Sequence, residues 1–267
     1  MNKSRLLGSV GALTVALATS ASAATLLNLT TEVFDGVAPA DSGVANGALF
    51  QVTFQQPTGT GVIDPFLRLQ GNGQKPEVEG MNTSANNVLD NKAGKWTHDL
   101  QLGDLGVSNG YYQFLLDINE ANQTKSLLSL DRLTLSTAAT GGLTYDEVKD
   151  PSIATLRYDL DIPEDFSILL DAARNHGSGS GDLLINIPTS LFAGVAPENF
   201  LYLYAAFGSD PSGTGQTSPQ ATGGFEEFAV IRAITTTPIP EPGSALIGML
   251  VVGLAATRFG ARSRPQP

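Results

Sequence analysis

The chain has no cysteine, one tryptophan and only two histidines, and it is short of positive charge. The missing thiols rule out disulfide staples, thiol catalysis and cysteine-ligated metal, so packing alone must hold the fold. With histidine confined to His98 and His176, metal and acid–base sites built on imidazole have little to draw on. There is no Gly-x-Ser-x-Gly elbow. A Ser178–His176–Asp182 triad can be drawn on paper, but all three lie in one glycine-rich turn with nothing to hold nucleophile and base in register. The stretch "GSGSGD" lacks the lysine and the four-residue gap of a phosphate loop. Long helical periodicity is also missing; only 145–150 and the turn "SLFAG" hint at it.

What is present begins with a targeting signal. Lys3 and Arg5 form a basic start, Leu6 to Ala18 an apolar run, and Ala21-Ser22-Ala23 a small-x-small site for signal peptidase. Residues 1–23 are therefore expected to be a cleaved signal peptide, with Ala21 and Ala23 specifying the cut. The body, 24–237, carries ten Lys and Arg against 25 acids, a net charge of −15. Such a surface repels nucleic acid, which is bound through cations, and favours solubility, divalent cations or basic partners.

Period-two alternation runs through the body between Gly, Pro, Asn and Ser clusters. In "YYQFLLDIN", Tyr112, Phe114, Leu116 and Ile118 share a face; in "TLRYDLDIP", Leu156, Tyr158, Leu160 and Ile162 do. "DLLINIP" aligns Leu183, Ile185 and Ile187, and "FLYLYAAF" sets Leu201 and Leu203 against Phe200, Tyr202 and Tyr204. Further strands are expected at 26–33, 47–56, 66–71, 96–102, 127–137, 167–173 and 228–234. The apolar phase slips between Leu130 and Leu133, which predicts a bulge near Asp131. About eleven strands without crossover helices predict an all-β, antiparallel β-sandwich of jelly-roll kind. Phe114, Leu116, Leu160, Ile185 and Leu203 are expected in its core. The polar region 72–95 reads as a long surface loop and as the most mobile segment.

Candidate chemistry in the body is sparse. "DINEANQTKSLL" opens like a Ca²⁺ loop with Asp117 and Asn119, then fails at Ala121, Asn122 and Leu128. Asp159, Asp161 and Asp165 gather oxygen ligands around a strand end and are the candidate Ca²⁺ group. Trp96 and Tyr111 are the candidate stacking residues for a glycan. A carboxylate pair on the strands, as a glycoside hydrolase needs, is the rival reading to a non-catalytic body.

The chain closes with "PIPEPGSALIGMLVVGLAATRFGARSRP". Ala245 to Ala256 gives about 18 Å of apolar helix, and 243–261 gives about 28 Å if Arg258 snorkels, against a bilayer core of about 30 Å. Arg258, Arg262 and Arg264 place the cytoplasmic end of this transmembrane helix, leaving the body outside. Pro240-Glu241-Pro242 holds an extended segment beside it, since two prolines fix the backbone and remove two N–H donors.

This order of proline knot, short apolar span and basic end resembles the PEP-CTERM sorting signal of Gram-negative bacteria, over residues 238–267. "WTHDLQLGDL", "YYQFLLDINE", "LLSLDRLTL", "GSGSGDLLINIPTSLF", "YLYAAFG" and "GFEEFAV" are similar to segments of a group of uncharacterised PEP-CTERM proteins. The resemblance implies recognition by an exosortase and a bacterium that makes extracellular polysaccharide. It implies transient anchoring in the inner membrane, then the cell surface or a biofilm matrix. It brings no known activity for the body and no cofactor.

Overall fold

A computed structural model of the chain describes residues 24–53, 63–71, 77–85, 88–92, 94–120, 126–174, 181–208, 220–221 and 224–231. The expected signal peptide and sorting tail lie outside the described residues, as do His176 and Ser178. Within them the alternating pattern becomes fourteen strands: β1 (Thr25–Asn28), β2 (Ser42–Ala45), β3 (Ala48–Val52), β4 (Ile63–Gln70), β5 (Val78–Met81), β6 (Leu100–Gln101), β7 (Val107–Ser108), β8 (Tyr111–Ile118), β9 (Leu127–Ala138), β10 (Thr155–Asp159), β11 (Phe166–Asp171), β12 (Leu183–Pro188), β13 (Phe200–Phe207) and β14 (Phe225–Ile231). The first sheet runs β1-β11-β9-β13-β5, with β10 on β9 and β6 on β13. The second runs β2-β3-β12-β8-β14-β4, with β7 on β8. Pairing is antiparallel except between β1 and β11, which are parallel. Antiparallel pairing was expected throughout; β1, at the edge of the first sheet, departs by lying parallel to β11 from Thr25–Phe166 to Asn28–Leu169.

The two sheets pack face to face. Phe207 of β13 meets Phe228 of β14 at 6.1 Å between ring centres, and the Tyr158 hydroxyl donates to the Ala45 carbonyl at 3.0 Å across the layer. Phe114, Leu116, Leu160, Ile185 and Leu203 are all fully buried in the shared core, as their phases predict. The long β9 carries the expected irregularity: β13 pairs Ala206 with Arg132 and Phe207 with Leu130, leaving Asp131 unmatched as the bulge. Before the bulge β9 pairs with β11, and after it with β10, so one bent strand serves two short partners.

Two Asn-Gly pairs make the tight hairpins. Asn46 and Gly47 (φ 46° and 86°) join β2 to β3, and Asn109 and Gly110 (51° and 83°) join β7 to β8. Both residues of such a turn need positive φ, which Asn and Gly adopt most cheaply. The one helix among the described residues, α1 (Tyr145–Lys149), starts on a capping box in which Thr144 and Glu147 satisfy each other's backbone N–H groups. It lies near the outer face of the first sheet, where Tyr202, Tyr204, Met81 and Leu143 form a second small core. This is why β13 is apolar on both faces.

Three expectations need correction. The region 72–95 is no long loop: β5 lies in it and pairs with β13. Asn82 is fully buried there because side-chain amides extend the sheet. Asn82 accepts from the Leu203 N–H at 2.5 Å and donates to the Leu201 carbonyl at 2.9 Å, and Asn91 brackets Met81 in the same way. In "TLRYDLDIP" only Tyr158 and Leu160 face inward; Leu156 is 51% and Ile162 61% exposed. The register shifts between Leu156 and Tyr158, and the strand ends at Asp159. The strand expected over 96–102 shrinks to Leu100–Gln101, followed by a 3₁₀ turn.

Candidate functional site

Trp96 and Tyr111 do not form one platform. The Arg68 guanidinium and the Lys95 ammonium each lie 4.2 Å from the centre of the Trp96 ring, so two cations already occupy it. Arg68 also meets the Phe225 ring at 4.9 Å and binds Glu227 Oε1 through Nε (2.6 Å) and Nη2 (2.5 Å). Glu227 stands opposite Asp117 near the end of β8, whereas Tyr111 begins that strand. Six residues of strand separate the two aromatics along the sheet, about 20 Å at ~3.3 Å per residue.

Asp159, Asp161 and Asp165 sit at the seam where β10 hands over to β11. Asp159 Oδ1 accepts from the Asp161 N–H at 2.9 Å, and Asp161 Oδ2 pairs with Arg132 Nε at 3.6 Å. Asn46 donates to the carbonyls of Leu160 and Glu164, both at 2.7 Å, pinning the seam to the β2–β3 turn. Burial first, then the Asp159 charge, raises the Asp161 carboxyl to about 6 against the pull of Arg132. No three acids or histidines among the described residues are arranged to hold a metal.

His98 is placed structurally: its Nδ1 lies 2.8 Å from the Asp99 carbonyl and its Nε2 3.2 Å from the Pro65 carbonyl.

The unusual chemistry is at one end of the sandwich, around Ile118, the last residue of β8. Glu226 of β14 stands opposite Ile118 and is 1% exposed, and neither of its carboxyl oxygens has a hydrogen-bond partner. Asp182, just before β12, accepts from the Ile118 N–H through Oδ2 at 2.8 Å, while its buried Oδ1 has no partner. Burial is the main cause that lifts both carboxyls to about 8. The Glu120 and Asp117 charges push Glu226 further up, and Asp117 and Asp171 do the same to Asp182. The nearby cation, Arg174, donates to the carbonyls of Leu29 (2.8 Å) and Thr30 (3.2 Å) and pairs with Asp41 at 2.9 Å.

Arg174, Asp171, Asp182 and Ile118 line a cavity of about 10 Å³. That is roughly the room one water needs and far short of a sugar ring. The cavity is therefore partly open to solvent and too small for a substrate.

Sequence reasoning missed Glu226, although a signal was present. In "GFEEFAVI" the inward phase of Phe228 and Val230, continued two residues back, lands on Glu226. Among the described residues no helix is long and apolar enough to cross a membrane. No family model, curated protein or solved structure matches the chain.

Proposed function

We propose that this chain is an exported protein of the bacterial cell envelope or extracellular matrix, sorted by an exosortase and non-catalytic. The reading combines a signal peptide cut after Ala23, a jelly-roll-like body and a C-terminal transmembrane sorting helix over 243–261. The observation that carries it is the ordered tail: Pro240-Glu241-Pro242, the apolar run Ala245–Ala256, then Arg258, Arg262 and Arg264. The body's role is structural, or a weak and diffuse contact with exopolysaccharide. A net charge of −15 supports this, because contacts made by exposed charge are spread over the surface and screened within about 10 Å at 0.1 M salt.

The rival hydrolase reading would require a carboxylate pair that reaches a glycan. Incubating the exported protein with the host's own exopolysaccharide separates the two. The non-catalytic reading expects no release of reducing ends above a heat-unfolded control, and salt-sensitive binding that survives His98→Ala with His176→Ala. Turnover abolished by a single carboxylate substitution would overturn it.

A further inference from the structure

Glu226 and Asp182 are bound up with the same three strand ends. Glu226 is the second residue of β14, Asp182 directly precedes β12, and Ile118 ends β8. Gly224 runs so close to β8 that a side chain there would overlap the Asn119 carbonyl, the added carbon falling 1.3 Å from its oxygen. Both carboxyls are buried there, Glu226 at 1% and Asp182 at 7% exposure. The charged groups around them are acidic or already engaged: Glu120 and Asp117 face Glu226, Asp117 and Asp171 face Asp182, Arg174 holds two carbonyls and Asp41, and Arg68 holds Glu227.

Glu226 has no hydrogen-bond partner and Asp182 only the Ile118 N–H, so their ionised forms are strongly disfavoured and the closed form retains its protons. We propose that Glu226 and Asp182 form a proton-held latch: protonated, they keep this end of the sandwich closed, and their ionisation opens the start of β14 and the end of β8 while the rest of the core stays folded. Opening is local because every residue involved lies at a strand terminus, where few ladder bonds must break.

Hydrogen exchange of the full-length exported protein across pH 5 to 9 tests this. Protection factors, already corrected for the intrinsic pH dependence of exchange, are expected to fall at Ile118 and Glu226–Phe228. The expected slope approaches about a hundredfold per pH unit up to about pH 8, as release of two protons on opening requires. Leu133 and Leu203, in the first sheet, should show no such slope. Glu226→Gln, which keeps the shape of the protonated acid, should reduce the slope, and Glu226→Gln with Asp182→Asn should abolish it. A flat profile in the wild type, the same slope at Leu133 and Leu203, or an unchanged slope in the double variant would overturn the latch. So would full protection at pH 8.5 restored by millimolar Ca²⁺ and reversed by chelation, which would make the pair a cation site.

Discussion

The acids at the β10–β11 seam and the acids at the Ile118 end are both drawn inward by the fold, yet they are handled differently. At the seam, Asp161 keeps Arg132 at 3.6 Å, and its neighbours Asp159 and Asp131 accept local hydrogen bonds: the Asp161 N–H on Asp159, and the Ser129 and Ser167 hydroxyls at 2.9 Å on Asp131. Its carboxyl rises only to about 6. At the Ile118 end burial is deeper and no cation offsets it, so Glu226 and Asp182 rise to about 8. The difference teaches that burial with a partner gives a settled polar seam, whereas burial without one makes the proton itself part of the structure.

The largest expected effect sharpens this comparison by leaving the acids alone. Leu116 is fully buried opposite Leu183 and Phe228. Leu116→Ala should cost about 2–5 kcal/mol in denaturant unfolding, the usual range for a buried leucine. The loss should be equal at pH 5 and pH 8, because no titrating group changes its surroundings.

Next comes the pH dependence itself. Unfolded, the two carboxyls titrate near their ordinary 3.8 and 4.5; folded, they hold protons to about 8. Between those values the folded state binds more protons, so its stability is greatest below about pH 4 and declines as pH rises to about 8. Chemical denaturation should show a fall on the order of 3–4 kcal/mol for each carboxyl between pH 5 and pH 8. A stability that rises over that window would break the contrast between the two regions.

The smallest effect is at the seam. Arg132 is mostly exposed, and its pair with Asp161 is long. Arg132→Ala should therefore cost about 1 kcal/mol or less. It should also lift the Asp161 carboxyl further above 6, as carboxyl carbon shifts in an NMR titration would report. No movement of Asp161 would mean that Arg132 does not restrain it.

Much of the sandwich was legible because alternation records which face of a strand is wet. The inward faces of β8 and β12 follow it, and the slip between Leu130 and Leu133 marked the bulge at Asp131. Alternation fails where polarity and burial part company. β5 is hidden by Glu77 and Glu79 and by amides that do backbone work, and hydropathy cannot distinguish the Asn82 side chain from a loop residue. Leu156 and Ile162 fail in the opposite sense, because a register shift and a strand end turn apolar residues outward. The Ile118 end was hidden for a further reason. Its acids come from β12, β14 and the exit of β8, which only the sheet order brings together. The proposed sorting tail, by contrast, is a pattern of linear order, read without any fold.

Intact-mass analysis of the protein recovered from the surface of a host with exosortase tests the account most directly. The chain is expected to begin at Ala24 and to lack its C-terminal segment, and to retain that segment when Glu241, Pro240 and Pro242 are all changed to Ala. Surface protein that always carries Ser244 to Pro267 would contradict the sorting reading and leave the tail a plain membrane anchor.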